Sequence, residues 1–230
     1  MTSALHPPGD ALHVILLDID GTLIASNDAH ARAWVGALAE HGYVVTFQQV
    51  RPLIGMGGDK LLPTLTALDP ESGEAARIGE TRGELFRREL PTLRPTPGAR
   101  DLLVLLKSEG LELVVATSAQ ENEVEALLRQ ASVADLIETK ASSDDAARSK
   151  PDPDIVQAAL RKSGNHSAHG IMIGDTPYDV EAAGRARVPA IALRCGGWWT
   201  DPAFKDAIAI YDDPADLCAN FATSPLSVRA

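Results

Sequence analysis

Cysteine is scarce in this chain of 230 residues: Cys195 and Cys218 are the only two, and neither has the spacing of a metal ligand set. A chain of this size can bury enough surface without cross-links, so both read as free thiols in a reducing compartment. Long hydrophobic runs are missing as well. No stretch approaches the roughly 18 consecutive apolar residues that a membrane-spanning helix needs. The opening Met1-Thr2-Ser3-Ala4-Leu5-His6 lacks the basic region followed by an apolar one that marks an export signal, and a cytoplasmic location is the resulting expectation. There is also no excess of basic residues. With 21 lysines and arginines against 32 acids the formal charge is −11, which argues against nucleic acid or an anionic membrane as the main partner. An anionic substrate would need a local reversal of sign, from a bound cation or a few placed Lys and Arg side chains.

What is present is an ordinary globular composition, 45% hydrophobic and 23% charged, in a length suited to one large domain or a domain carrying an insertion. Its organising stretch is Leu16-Leu17-Asp18-Ile19-Asp20-Gly21-Thr22-Leu23. The run His13 to Leu17, with β-branched Val14 and Ile15 and no alternation of polar residues, has the pattern of a buried parallel strand. Asp18 and Asp20 stand two apart at its end, so in an extended chain both carboxylates leave the same side, and Gly21 permits a sharp turn. Two close carboxylates repel each other unless a cation, a shared proton or a reacting centre compensates.

From Asn27 to Leu93 the patterning is helical throughout, with Asn27 or Asp28 as the expected cap of a first helix carrying Ala31, Trp34, Val35, Leu38 and Ala39. Further helices are expected over Phe47–Leu53, Lys60–Ala67 and Glu71–Leu90, the last weakened by Gly73, Gly79 and Gly83. Residues 26–94 therefore read as a helical insertion, and 1–25 with 95–230 as the core around it. Beyond Pro97 helices and strands alternate. Helices are expected over Ala99–Ser108, Gln120–Gln130, Pro153–Lys162 and Pro177–Arg185 and after Asp213. Strands are expected at Leu111–Ala116, Leu136–Glu138, Gly170–Gly174, Val188–Leu193 and Ala207–Tyr211. Such alternation implies an α/β fold: a Rossmann-like parallel sheet with helices on both faces, here with an inserted α-helical cap. Ligands of such sheets sit beyond the carboxyl ends of the strands. At those ends stand Asp18 and Asp20, Thr117 and Ser118, and Asp175 with Asp179 four residues on; Lys150 precedes Pro151 between the last two groups.

In order and identity these pieces resemble the haloacid dehalogenase superfamily of phosphohydrolases, in the branch with a helical cap inserted after the first motif, which includes phosphoglycolate phosphatase and β-phosphoglucomutase-like members. Asp18-Ile19-Asp20-Gly21-Thr22-Leu23 is similar to the first motif and Val115-Ala116-Thr117 to the second. Lys150-Pro151 is similar to the third and Gly174-Asp175-Thr176-Pro177-Tyr178-Asp179 to the fourth. The resemblance implies a Mg²⁺-dependent phosphatase acting on a small phosphorylated metabolite. It casts Asp18 as the nucleophile that forms an aspartyl-phosphate and Asp20 as general acid and base. Thr117 and Lys150 would hold the phosphoryl oxygens, with Ser118 beside them. Asp18, the backbone carbonyl of Asp20, Asp175 and Asp179 would serve the metal. The acid at position 20 separates the chain from dehalogenating and phosphonate-cleaving relatives, which lack it. By the same resemblance the glycine-rich turn Gly55-Met56-Gly57-Gly58 faces the site from the cap. Arg51 and Lys60 flank it and are candidates to contact the leaving group, the alternative being solvated cap charges. His30, Trp34 and Tyr178 are candidates for lining the pocket, core packing being the expected use of the aromatics, and Gly196-Gly197-Trp198-Trp199 reads as a structural or rim turn. A phosphosugar mutase would use the same two aspartates, and a non-catalytic binding protein would keep the scaffold without turnover. A monomer is the simplest expectation for a cap that opens and closes.

Overall fold

The computed structural model describes residues 12–165 and 169–227, so the reading of Met1–His6 and the outermost ends of the expected core lie outside the described residues. Six parallel strands form one sheet in the order β3-β2-β1-β4-β5-β6. They are β1 Val14–Leu17, β2 Glu112–Ala116, β3 Thr139–Ala141, β4 Gly170–Gly174, β5 Ala190–Leu193 and β6 Ala209–Tyr211. β1 lies at the centre, with Leu17 opposite Val115 on one side and Ile173 on the other. Its four side chains are fully buried because both faces of the sheet are covered. Ile15 and Leu17 join Val115, Ile173 and Ile191 beneath helices α5 (Ala99–Ser108), α6 (Glu121–Gln130) and α9 (Pro214–Ala219). Val14 and Leu16 join Val114, Met172 and Ala190 beneath α7 (Asp154–Ser163) and α8 (Pro177–Arg185). Burying each such aliphatic side chain contributes about 1.5–3 kcal/mol, which explains why the strand is an unbroken apolar run rather than an alternating one.

Between β1 and β2 the chain forms α1 (Asn27–Glu40), α2 (Phe47–Val50), α3 (Gly58–Thr66) and α4 (Gly73–Glu89). These helices have an apolar core of their own, in which Trp34, Leu38, Val50, Ile54, Leu61 and Ile78 are buried. The segment leaves and re-enters the core at one place, where Ile24 bridges Pro95. α4 keeps its helix despite three glycines because Ala75, Ile78, Arg82 and Phe86, spaced three or four apart, are all buried.

Two local expectations need correction. The third strand is Thr139–Ala141, not Leu136–Glu138; Ala134–Leu136 is a 3₁₀ turn. Apolarity marked Ile137, which is buried, but the pairing falls on the next, more polar residues, as suits a short strand at a sheet edge. The first helix begins at Asn27, so the expected caps Asn27 and Asp28 lie inside it; the cap position is Ser26, which makes no side-chain capping bond, and the side chains of Ser26 and Asn27 are used elsewhere. Among the described residues no helix is long and apolar enough to cross a membrane.

Candidate active site

Three adjacent strands deliver the site. Asp18 directly follows β1, Thr117 follows β2 and Asp175 follows β4, all at the carboxyl edge of the sheet and all buried. Lys150, with no exposed surface, reaches the same point from the loop before α7, where its peptide bond to Pro151 is cis. Its Nζ donates to Asp18 Oδ1 at 2.6 Å and lies 2.7 Å from Asp179 Oδ1, pairing with both carboxylates. The other oxygen of Asp179 accepts from the backbone N and the hydroxyl of Thr176, which closes a capping box at the start of α8 and fixes the carboxylate.

Asp175 accepts from Thr22 Oγ1 at 3.1 Å and from Asn27 Nδ2 at 2.7 Å. Here the missing cap of α1 is explained: Asn27 orients a carboxylate across the site instead. Gly21, at φ +81, is required by the same crowding, since a Cβ there would lie 2.2 Å from both Asn27 Nδ2 and Asp175 Oδ2. Ser26 is diverted likewise. Its hydroxyl donates to Asp20 Oδ1 at 2.5 Å, and His30 Nε2 donates to the same oxygen at 2.8 Å. The His30 ring is stacked on Phe86 of α4, 3.8 Å between centroids. His30 is thus a partner of Asp20 rather than core filling.

Oxygens of Asp18, Asp175 and Asp179 all lie within 4.8 Å of one another. Burial, the like charges of Asp179, Asp175 and Asp20, and only partial relief from Lys150 push Asp18 well above the usual carboxylate range. Burial and Asp179 push Asp175 up to about 7. Asp20 goes the other way: burial raises it, but the charge and hydrogen bond of His30 and the Ser26 hydroxyl more than offset this. A buried, all-oxygen cluster with one lysine for three acids is deficient in positive charge, and its donor set suits a hard divalent cation. The Asp20 side chain stands outside this cluster.

A pH dependence follows. In the metal-free protein Asp18 and Asp175 take up protons on folding, since their folded values exceed the ordinary value of about 3.9. Their contribution to stability therefore falls as pH rises from about 4 toward 7. Lys150, pushed up by the same carboxylates, contributes fully across that range. A divalent cation held by this cluster would replace the protons, so Mg²⁺ is expected to raise the melting temperature more at about pH 7.5 than at about pH 5.5. Thermal melts in Mg²⁺ and in chelator at both pH values check this; an equal rise at the two would contradict it.

The remaining candidates fall in two groups. Thr117 and Ser118 line a cavity of about 60 Å³ with Asp18, Asp20, His30, Trp34 and Arg82. Thr117 Oγ1 accepts from the Ala119 backbone at 3.1 Å, while Ser118 Oγ donates to the carbonyl of Gly55 at 3.2 Å. Arg51 and Lys60, candidates either to contact a leaving group or to be solvated cap charges, are engaged at the boundary between the helical segment and the core. Arg51 is buried, donates to Asp28 and to the carbonyl of Gly196, and lies over the Trp198 ring; Lys60 pairs with Asp152. Their partners come from distant segments, so spacing did not reveal them. Tyr178 acts at the same boundary, donating to the carbonyl of Pro52. Thr22, Ser26 and Asn27 are site residues that sequence reasoning missed, having the look of turn and cap formers.

A family model described as haloacid dehalogenase-like hydrolase matches residues 15–193. A phosphoglycolate phosphatase of Rhodospirillum rubrum is 29% identical over 212 residues, 88% of each chain. A probable phosphatase, IndB, of Dickeya dadantii is 28% identical, covering 82% of this chain and 84% of that one. Among solved structures, a hydrolase from Pseudomonas syringae superposes with a TM-score of 0.85 at 28% identity, over 92% of this chain and 98% of that one. The match spans all the strand ends except that of β6, and with them every residue of the carboxylate cluster. The chain belongs to the haloacid dehalogenase-like hydrolase family.

Proposed function

We propose that the protein is a Mg²⁺-dependent phosphatase that transfers the phosphoryl group of a small metabolite to Asp18 and then to water. The observation that carries this reading is the pairing of two aspartates in opposite surroundings. Asp18 lies in the carboxylate cluster with its Oδ1 on Lys150, while Asp20, two residues on, lies outside it and bonded to His30 and Ser26. Asp18 Oδ attacks phosphorus as the bond to the ester oxygen breaks, and Asp20 donates its proton to that oxygen. Asp20 then takes a proton from the water that attacks the aspartyl-phosphate, releasing phosphate and restoring both groups. Free phosphate, not an isomerised sugar phosphate, is the expected product.

As an acid Asp20 must hold a proton, yet His30 and Ser26 favour its anion in the free protein. A phosphoryl dianion arriving beside it opposes that effect, so its protonation is coupled to substrate binding. Lys150 and Thr117 would hold phosphoryl oxygens as charge spreads over them. Asp18, Asp175, Asp179 and the backbone carbonyl of Asp20 would hold Mg²⁺, which would neutralise charge between nucleophile and phosphate.

We further assign residues 26–94 as a cap over the site. Its boundary with the core is tied by Lys60 to Asp152, Asp59 to Ser149, Ser118 to Gly55 and Tyr178 to Pro52. The cavity beside Asp18 has about 60 Å³ free, and a cap tied this way would open and close over it as substrate enters. The relatives' names extend to phosphoglycolate, one member of the substrate class a panel should include. The test is phosphate release from a panel of phosphate monoesters, with Mg²⁺ and with chelator. Release only with Mg²⁺ is expected; release from none would overturn the reading. Asp20→Ala should still form the phosphoenzyme from an activated aryl phosphate, whose leaving group needs no acid, giving a burst followed by turnover slowed by about 10²–10⁴. Unimpaired turnover would reject the acid–base role.

A further inference from the structure

Beside the small cavity at Asp18 lies a cleft of about 830 Å³ between cap and core, and the two share Trp34, Gly57, Gly58, Arg82 and Ser118. Clefts of this size hold ligands much larger than a two-carbon acid. Arg82, on α4 of the cap, is the one buried guanidinium that lines both spaces. It is already neutralised. Its Nη1 lies 2.9 Å from each carboxylate oxygen of Glu123 on α6 of the core, and the two side chains are 9% and 7% exposed. The guanidinium lies 5.5 Å from the Trp34 ring centroid, and its Nε has no hydrogen-bond partner among the described residues.

The rest of the lining points the same way. Asp59, Glu80 and Glu84 add negative charge, and the only other arginine, Arg87, is exposed at the rim. Ser118, Gln120, Asn122, Ser143 and Ser149 supply neutral hydrogen-bonding groups. A leaving group with its own carboxylate or phosphate would meet a guanidinium whose charge Glu123 already balances, in a cleft whose wall also carries Asp59, Glu80 and Glu84, so its second charge would enter without a compensating cation. A hydroxyl can accept from Arg82 and donate to Glu123 without breaking the pair.

Resting on the phosphatase reading above, we propose that Glu123 is a specificity-determining residue. It occupies Arg82 as a built-in carboxylate, so the cleft takes phosphate monoesters of neutral, polyhydroxylated leaving groups, sugars or polyols, and rejects leaving groups that carry a second negative charge. A site that sets uncompensated like charge against the wrong ligand discriminates against it.

The experiment compares kcat/KM for glucose 6-phosphate and sorbitol 6-phosphate with that for 2-phosphoglycolate and 3-phosphoglycerate, in Mg²⁺, for the natural protein and for Glu123→Gln. The natural protein is expected to favour the polyol esters by about tenfold or more. Glu123→Gln, which keeps a hydrogen bond to Arg82 but not the charge, should move the ratio toward the anionic pair by about tenfold, mainly through KM. A general structural defect would lower all four together and leave the ratio unmoved. A natural protein that handles 2-phosphoglycolate as well as the polyol esters overturns the inference while leaving the phosphatase reading intact, as does an unchanged ratio in the variant. Release from none of the four overturns both. If the variant does not fold, the ratio in the natural protein decides alone.

Discussion

Asp18→Asn is expected to lower phosphate release by at least about four orders of magnitude, the scale seen when a covalent nucleophile is removed from a site whose other parts remain. An amide of the same shape cannot attack phosphorus, and no other side chain takes over. Asp20 is held by Ser26 and His30, while Asp175 and Asp179 have hydrogen bonds that fix them elsewhere in the cluster. The fold should tolerate the change. Asp18 is buried among like charges, and removing its charge relieves repulsion from Asp179, Asp175 and Asp20 while weakening the contact with Lys150. A correctly folded, inactive protein that still binds Mg²⁺ is therefore the expected result, read by melting temperature alongside activity. Substantial residual turnover would mean that water, or another group, attacks directly.

Lys150→Ala should damage fold and catalysis together. Lys150 is the cation in direct contact with Asp18 and Asp179 and has no exposed surface. Removing one partner of a buried charge network costs about 3–5 kcal/mol, because the charges left behind have nothing to compensate them. Mg²⁺ should recover part of that loss. Losing the stabilisation of the phosphoryl oxygens is expected to slow turnover by about 10²–10³ even at saturating metal. Lys150→Met, which refills the volume without the charge, separates the two effects: stability should improve relative to Ala while activity stays low. Normal activity in Lys150→Met would show that the ammonium serves the fold alone.

What could be read from the sequence were the features whose causes are local. An unbroken apolar run leading into Asp18 implies a strand buried on both faces and a carboxylate at its exit, whatever packs around it. The alternation from Pro97 onward gives the parallel sheet, and with it the common edge where Thr117 and Asp175 arrive. Features set by distant partners were not legible. Ser26 and Asn27 have the composition of a helix cap, and only the approach of Asp20 and Asp175 turns their side chains away from the helix end. Arg51 and Lys60 carry no mark that Gly196 and Asp152 await them across the boundary. The edge strand was displaced by a few residues because β3 is defined by its pairing with β2, while the apolar signal came from Ile137, which is buried beneath the sheet rather than paired within it. His30 shows the same limit: its spacing places it on the first helix, but nothing local shows that its ring edge meets Asp20 while Phe86, more than fifty residues on, stacks against its face.

The central claim is that Asp18 carries the phosphoryl group during turnover. Its most direct test is rapid acid quench of the Mg²⁺-loaded protein during reaction with a good phosphate ester, followed by mass spectrometry of the peptide that contains Asp18 and Asp20. The account predicts one added phosphoryl group on Asp18, transient in the natural protein, accumulating in Asp20→Ala and absent from Asp18→Asn. Turnover without any phosphoryl group on that peptide, or with the group on a different residue, would contradict it.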